Sequence, residues 1–252
     1  MKKVLIGLAI VIGIIGAAFA VLMYMAFGGQ TAIEDGKVLP GGAVTVKDGF
    51  VAAYILPAGD HAVALVDCGN DPKGLAILAA LQKQSLGPEA VKAIFITHAH
   101  GDHIAACKSF SQAQTYAFSE DFALAAGQGR SKGPITQFLD TPVDRRITVN
   151  HALENAEPVT VGTLTVTPYR CEGHTAGSAA FLANDTLFMG DSMSTRNDGS
   201  LKPAVGPASD STEANHASLV RLGKSLANAG IKAVAPAHSG PAEFEALAEY
   251  QP

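Results

Sequence analysis

The stretch Val91-Lys92-Ala93-Ile94-Phe95-Ile96-Thr97-His98-Ala99-His100-Gly101-Asp102-His103 decides how this chain folds. Apart from Lys92, its first six residues are apolar, and the run is β-branched at the end, the pattern of a short buried strand. The last seven place three imidazoles and a carboxylate on the loop leaving that strand, where α/β sheets usually hold their chemistry. His98 and His100 stand two apart, so an extended backbone points both to one side. Gly101 lets the chain bend and aim Asp102 and His103 at a second point nearby. Such a concentration of ligand-type side chains suits a pair of divalent metals better than one. A single tetrahedral zinc seldom takes all its ligands from one short loop.

Working outward, three more ligand candidates follow apolar strands. They are His174 in Gly173-His174-Thr175, Asp191 in Gly190-Asp191-Ser192, and His238 in Ala237-His238-Ser239-Gly240. Upstream, Asp67 ends the apolar run 62–66. Residues 43–46, 50–56 and 62–66 read as an antiparallel meander split by Lys47-Asp48-Gly49 and Pro57-Ala58-Gly59-Asp60. Residues 72–85 repeat apolar side chains at helical period until Gly87-Pro88. A helix is expected over 102–110, a strand over 114–118, and a helix over 122–126 after Ser119-Glu120-Asp121. Further strands are expected at 145–149, 158–161, 164–168, 178–182, 186–189 and 232–235. Ser211-Thr212-Glu213 caps a helix to about residue 229, and 241–250 reads as a closing helix. Residues 127–142 and 191–210 are Gly-, Pro- and Ser-rich loops. Strands followed by helix, twice over, predict an α+β chain: two mixed sheets face to face with helices outside.

The H-x-H-x-D-H pattern of His98 to His103, with His174, Asp191 and His238 in order behind it, resembles the signature of the metallo-β-lactamase-fold hydrolases. The resemblance covers roughly residues 36–249. It implies an αββα sandwich with a metal site at one edge and two zinc ions, with iron or manganese as alternatives. It implies that His98, His100 and His174 hold the first ion. Asp102, His103 and His238 would hold the second, and Asp191 would bridge them. Asp67 would accept a hydrogen bond from a ligand imidazole. Two metals lower the pKa of a shared water, so the implied activity is hydrolysis, with Asp102 and Asp191 at the reacting centre.

Departures from branches of this family narrow the substrate. The glyoxalase II type adds a long helical domain after its last ligand, which is not expected where the sequence closes soon after His238. The β-lactamases with this loop usually have Ser where Asp191 stands. The acyl-homoserine lactonases place a Tyr soon after the bridging Asp, where Ser192-Met193-Ser194-Thr195 stands here. The expected reaction is therefore cleavage of a small-molecule ester, thioester or lactone. The alternatives are a β-lactamase or a mononuclear-iron sulfur dioxygenase on the same fold. The diiron reductases are disfavoured by His100, where they typically carry Glu.

The formal net charge of −5, with no basic run beyond Lys2-Lys3, argues against a nucleic-acid partner. Arg130, Lys132, Arg196 and Lys202 read as solvated loop charges, and His61, His151 and His216 as surface or packing residues. Cys68, Cys107 and Cys171 are scattered and odd in number, so no disulfide framework is expected. Cys107 reads as core, and Cys171 as near the site without ligating. Residues 4–27 are uncharged and apolar; as a helix they span ~36 Å, enough to cross a bilayer's ~30 Å hydrocarbon core. Ala18-Phe19-Ala20 fits a signal-peptide cut, but the apolar run continues beyond it, so an uncleaved anchor is expected. The expected domains are 1–30, an anchor in the lipid bilayer, and 31–252, the hydrolase. Lys2-Lys3 ahead of the run place the catalytic domain on the extracytoplasmic side of an inner or plasma membrane.

Overall fold

Strict alternation along strands buried on both faces assembles the molecule. The computed structural model describes Gly7, residues 10–17, Val21, Tyr24 and residues 28–252. The chain divides into two compact units, Met1–Gln30 and Thr31–Pro252. In the second unit a six-stranded sheet runs in the order β1 (Val44–Asp48), β2 (Val51–Pro57), β3 (Val63–Val66), β4 (Val91–Phe95), β5 (Gln114–Ala117) and β6 (His151–Ala152). Its first three strands pair antiparallel and the rest parallel.

The second sheet contains β7 (Val159–Val161), β8 (Leu164–Arg170), β9 (Ala179–Ala183), β10 (Thr186–Gly190), β13 (Ala233–Pro236) and β14 (Ala242–Glu243), in the spatial order β14-β13-β10-β9-β8-β7. Only β10 and β13 pair parallel in it. A separate hairpin joins β11 (Met193–Thr195) to β12 (Leu201–Pro203).

Odd and even residues of the same strands feed different cores. Ala52, Tyr54, Ala64, Val66 and Phe95 of the first sheet meet Val166, Phe181, Phe188 and Ala235 of the second. The opposite faces, Ala53, Ile55, Leu65 and Ile94, pack on Ile77 and Leu81 of helix α1 (Leu75–Lys83). Ala180, Leu187 and Val234 pack on Leu219, Leu222 and Leu226 of the long helix Thr212–Leu226. The result is the αββα layering expected from the sequence.

Several local expectations need correcting. The helix expected over 102–110 breaks into α2 (Gly101–Ile104) and a 3-10 turn, Cys107–Phe110. Next in the chain comes the short α3 (Phe122–Ala125). Residues 145–149 form no strand: Val143–Arg145 is a 3-10 turn, and Ile147 is buried through packing and one bond from its N–H to Ala125 O (2.9 Å). The loop 191–210 contains the β11–β12 hairpin, whose short strands carry too few apolar residues to show a period. The long helix, now α4, starts at its expected cap, with Ser211 Oγ accepting from Ala214 N (3.1 Å). Residues 241–250 split into β14 and α5 (Glu245–Ala248).

Cys68 and Cys107 form a disulfide, against the expectation of none, and Cys171 is free and buried. Spacing could not reveal this pair. The two lie 39 apart in sequence and come to a Cα–Cα distance of 5.4 Å only because β3 and β4 run side by side.

The membrane anchor expected over 4–27 falls in large part outside the described residues. Gly7, residues 10–17, Val21 and Tyr24 are helical, and Ile10, Val11, Ile12, Ile14 and Ile15 are exposed. Among the described residues no helix is long and apolar enough to cross a membrane.

Candidate metal centre

Each site residue sits where a strand ends or turns. Asp67 follows β3, and His98 to His103 follow β4. His174 lies in the turn from β8 to β9, Asp191 follows β10, and His238 follows β13. Parallel pairing of β3 with β4 and of β10 with β13 brings these ends to one edge of the sandwich. Three overlapping groups of donor atoms lie within 4.8 Å of one another: His98, His100 and His174; His98, His103 and Asp191; and Asp102, His103 and His238.

All five imidazoles are held from behind by oxygen. Thr97 Oγ1 donates to Asp67 (2.7 Å) and so can accept from Nδ1 of His98 at 3.2 Å. Nε2 of His100 lies 2.7 Å from Ser131 Oγ, and Nδ1 of His103 lies 2.9 Å from Asp67 Oδ2. Ser209 Oγ donates to Val205 O and accepts from Nδ1 of His174 (3.1 Å). Nδ1 of His238 donates to Phe50 O (3.0 Å), and the Phe50 ring stacks on that imidazole. These contacts turn Nε2 of His98, His103, His174 and His238, and Nδ1 of His100, inward; they set the tautomer at His98 and His174, while the Ser131 hydroxyl can either donate to His100 or accept from it.

The inward atoms fit a metal better than they fit each other. Nδ1 of His100 and Nε2 of His174 face one another at 2.9 Å; with both protons on the outer nitrogens, only lone pairs meet there. Nε2 of His98, Nε2 of His103 and Oδ1 of Asp191 are buried without a hydrogen-bond partner, although His103 and Asp191 approach to 3.2 Å. Asp191 Oδ2 lies 3.4 Å from Nε2 of His174, 3.9 Å from that of His98 and 3.1 Å from that of His238. One carboxylate therefore stands between the two donor sets. Asp102 Oδ2 is 3.4 Å from Nε2 of His238, on the more open side of the cluster.

Electrostatics separates the sets. Burial keeps His98, His100 and His174 neutral, taking His174 down to about 3. Burial also opposes charge on His103 and His238, but there Asp191 and Asp102 outweigh it. His103 is held well above its ordinary value, and His238 is raised to about 10. The carboxylates respond in kind. Burial disfavours their charge, yet the neighbouring imidazoles hold Asp191 well below the usual range and Asp102 at about 2.

Asp67 occupies a left-handed backbone position (φ 60°) and accepts from Thr97 N (2.8 Å), Thr97 Oγ1 and His103. Its neighbour Cys68 donates its N–H to His103 O (2.6 Å), and the disulfide ties that turn to the segment after α2. Cys171 lies in the core under α4, where burial pushes its thiol up to about 12. Arg130 pairs with Asp140 at the surface (2.8 Å), and Asp210 caps the Lys132 N–H (2.6 Å). Sequence reasoning missed Ser131, Ser209 and Asp121. Their only local signal is a polar side chain in a loop or turn, and each reaches the site across a long sequence interval.

The sandwich carries at one edge a cluster of imidazoles and carboxylates that could hold metal ions. The chain belongs to the metallo-beta-lactamase superfamily, whose family model matches residues 46–238. It is 30% identical over 155 residues to a hydroxyacylglutathione hydrolase of Xanthomonas axonopodis pv. citri (strain 306), covering 61% of this chain and 51% of the relative. The chain thus spans about half the length of this curated relative. Among solved structures it is similar to MEM-A1, a subclass B3 metallo-beta-lactamase from a soil metagenome library, with a TM-score of 0.60 and 20% identity. That match covers 83% of this chain and 81% of the other. A Cronobacter sakazakii metallo-beta-lactamase gives a TM-score of 0.63 at 17% identity, over 83% and 80% of the two chains. At these identities the likeness to solved structures is one of fold.

Proposed function

We propose that this chain is a dinuclear zinc hydrolase that opens the carbonyl bond of a small thioester, ester or lactone. The observation that carries the reading is the inward convergence of five anchored imidazoles and two carboxylates, with Asp191 between two donor sets. His98, His100 and His174 would hold one ion, and Asp102, His103 and His238 the other, with Asp191 shared. A metal pair held there would supply hydrolytic chemistry, making water nucleophilic near neutral pH and polarising a carbonyl oxygen. Neutral imidazoles suit zinc, and two carboxylates moderate the charge of a dication pair. Asp102, whose side chain is 25% exposed, faces the open side; with a long bond to its metal it could pass the proton of the attacking water to the departing group. A carboxylate at 191, where the β-lactamases usually carry Ser, favours an acyl ester or thioester over a β-lactam. The hydroxyacylglutathione hydrolase relative supports a thioester first.

The domain is read as extracytoplasmic and held by the apolar segment 4–27. Lys2-Lys3 set the orientation, and the Cys68–Cys107 disulfide suits an oxidising compartment.

The test is metal analysis of the purified chain, followed by assays on thioesters, esters, lactones and a chromogenic cephalosporin. Two zinc ions per chain and acyl-bond turnover that disappears in Asp191→Ala are expected. One iron per chain points to the dioxygenase instead. Zinc binding with no acyl bond cleaved overturns the hydrolase reading.

A further inference from the structure

We infer that Asp121 is a positioning residue for the first donor trio, clamping the loop of His98 and His100 to the turn of His174. The inference rests on the reading of that trio as a metal site, and adds a residue outside the ligand motif. Asp121 precedes α3 and is 2% exposed. Its Oδ2 accepts from Ala99 N (2.9 Å), the residue between the two loop histidines. The same oxygen accepts from Thr175 Oγ1 (2.8 Å), next to His174. Oδ1 accepts from Gly177 N (3.0 Å). One carboxylate thus joins a loop of the first sheet to a turn of the second.

The trio needs such a clamp. Nδ1 of His100 and Nε2 of His174 lie 2.9 Å apart; in the tautomers that leave both free for a cation they share no proton, so nothing in the pair itself draws them together. Their backbones must therefore be kept together by something other than the imidazoles. The approach is close enough to dictate a neighbour: a Cβ on Gly177 would lie 2.7 Å from Asp121 Cγ. Among the described residues Asp121 makes no ion pair, so its acceptors are filled by the two loops alone.

An Asn at 121 cannot satisfy all three donors, because its amide must face either the Ala99 N–H or the Gly177 N–H. Thr175→Val removes one donor, and Thr175→Ser keeps it. Zinc affinity is read by competition with a chromophoric chelator in two backgrounds, His238→Ala to report the trio and His174→Ala to report the other set. Thermal melts of the metal-free proteins accompany the titrations. In the His238→Ala background, Asp121→Asn is expected to weaken zinc about 10–100-fold, the usual effect of losing a group that orients ligands. Thr175→Val should weaken it less, and Thr175→Ser should match the parent. In the His174→Ala background none of the three should matter.

Should Asp121→Asn fail to fold, the Thr175 pair decides. Unchanged zinc affinity in the trio background overturns the inference. So does equal weakening in both backgrounds alongside a lower metal-free melting temperature, which marks a general structural role. If the unmodified chain takes up no zinc, the reading of the centre itself fails, and the clamp fails with it.

Discussion

A single carboxylate, Asp67, receives Thr97 N, Thr97 Oγ1 and His103 Nδ1, and through Thr97 it also backs His98. Replacing it with Ala strands a backbone N–H and two side chains in a buried place. Losing such a network costs about 2–4 kcal/mol, and zinc affinity should fall about 10–100-fold. Denaturant melts and zinc titration of Asp67→Ala check both. A second expectation concerns protons. In the metal-free chain His238 is raised from 6.5 to about 10, and His103 is raised as well. Stability from a raised imidazole is fully present below its unfolded value and is lost as pH climbs through the folded value. Metal-free melting temperatures should therefore fall between neutral pH and pH 10, and Asp191→Asn should flatten that fall. Zinc binding near neutral pH should release protons from His103 and His238 but none from the neutral trio, as calorimetry in buffers of different ionisation enthalpy would read. The clustered donor residues were legible because four share the short run His98 to His103 and the other three each follow a strand. Ser131, Ser209 and Asp121 were not, since a lone polar residue in a turn signals nothing until a distant loop meets it.

At the scale of elements, α4 and the disulfide both brace the site. Ser211 caps α4, and its own N–H donates to Gly173 O (2.8 Å), while Asp210 N donates to His174 O (3.1 Å). Ser211→Ala should cost about 0.5–2 kcal/mol by loss of the cap, and Ser211→Asp should restore most of it. Urea melts of the three proteins check this. The Cys68–Cys107 bond closes a long loop between the Asp67 turn and the segment after α2. Replacing both cysteines with Ser should cost about 2–4 kcal/mol, and a reductant should lower the melting temperature of the unmodified chain but not of the double variant. Strands buried on both faces were readable from composition. The β11–β12 hairpin was not, because three-residue strands carry no usable period, and 145–149 misled because Ile147 and Val149 are buried by packing without a ladder.

For the whole molecule, two mixed sheets meet through Tyr54, Phe95, Phe181 and Phe188, and the strand ends that carry the donors open at one edge. The reading of residues 4–27 as an anchor belongs to this scale. A reporter enzyme active only in an oxidising compartment, fused after Pro252, should be active, and the chain should resist extraction with alkaline carbonate. Activity of a cytoplasmic reporter at the same junction would reverse the orientation, and a carbonate-soluble full-length chain would remove the anchor. What the sequence alone determined is what adjacent residues encode. Burial period defines strands, and the run from His98 to His103 places four donor side chains within one turn of backbone. What only the tertiary structure decided is which atoms meet across long intervals: the oxygen behind each imidazole, the Cys68–Cys107 bond, and the clamp at Asp121. The physical reason is that a side chain's reach is a few ångströms, so such contacts exist only once parallel strand pairing has brought remote loops to the same edge.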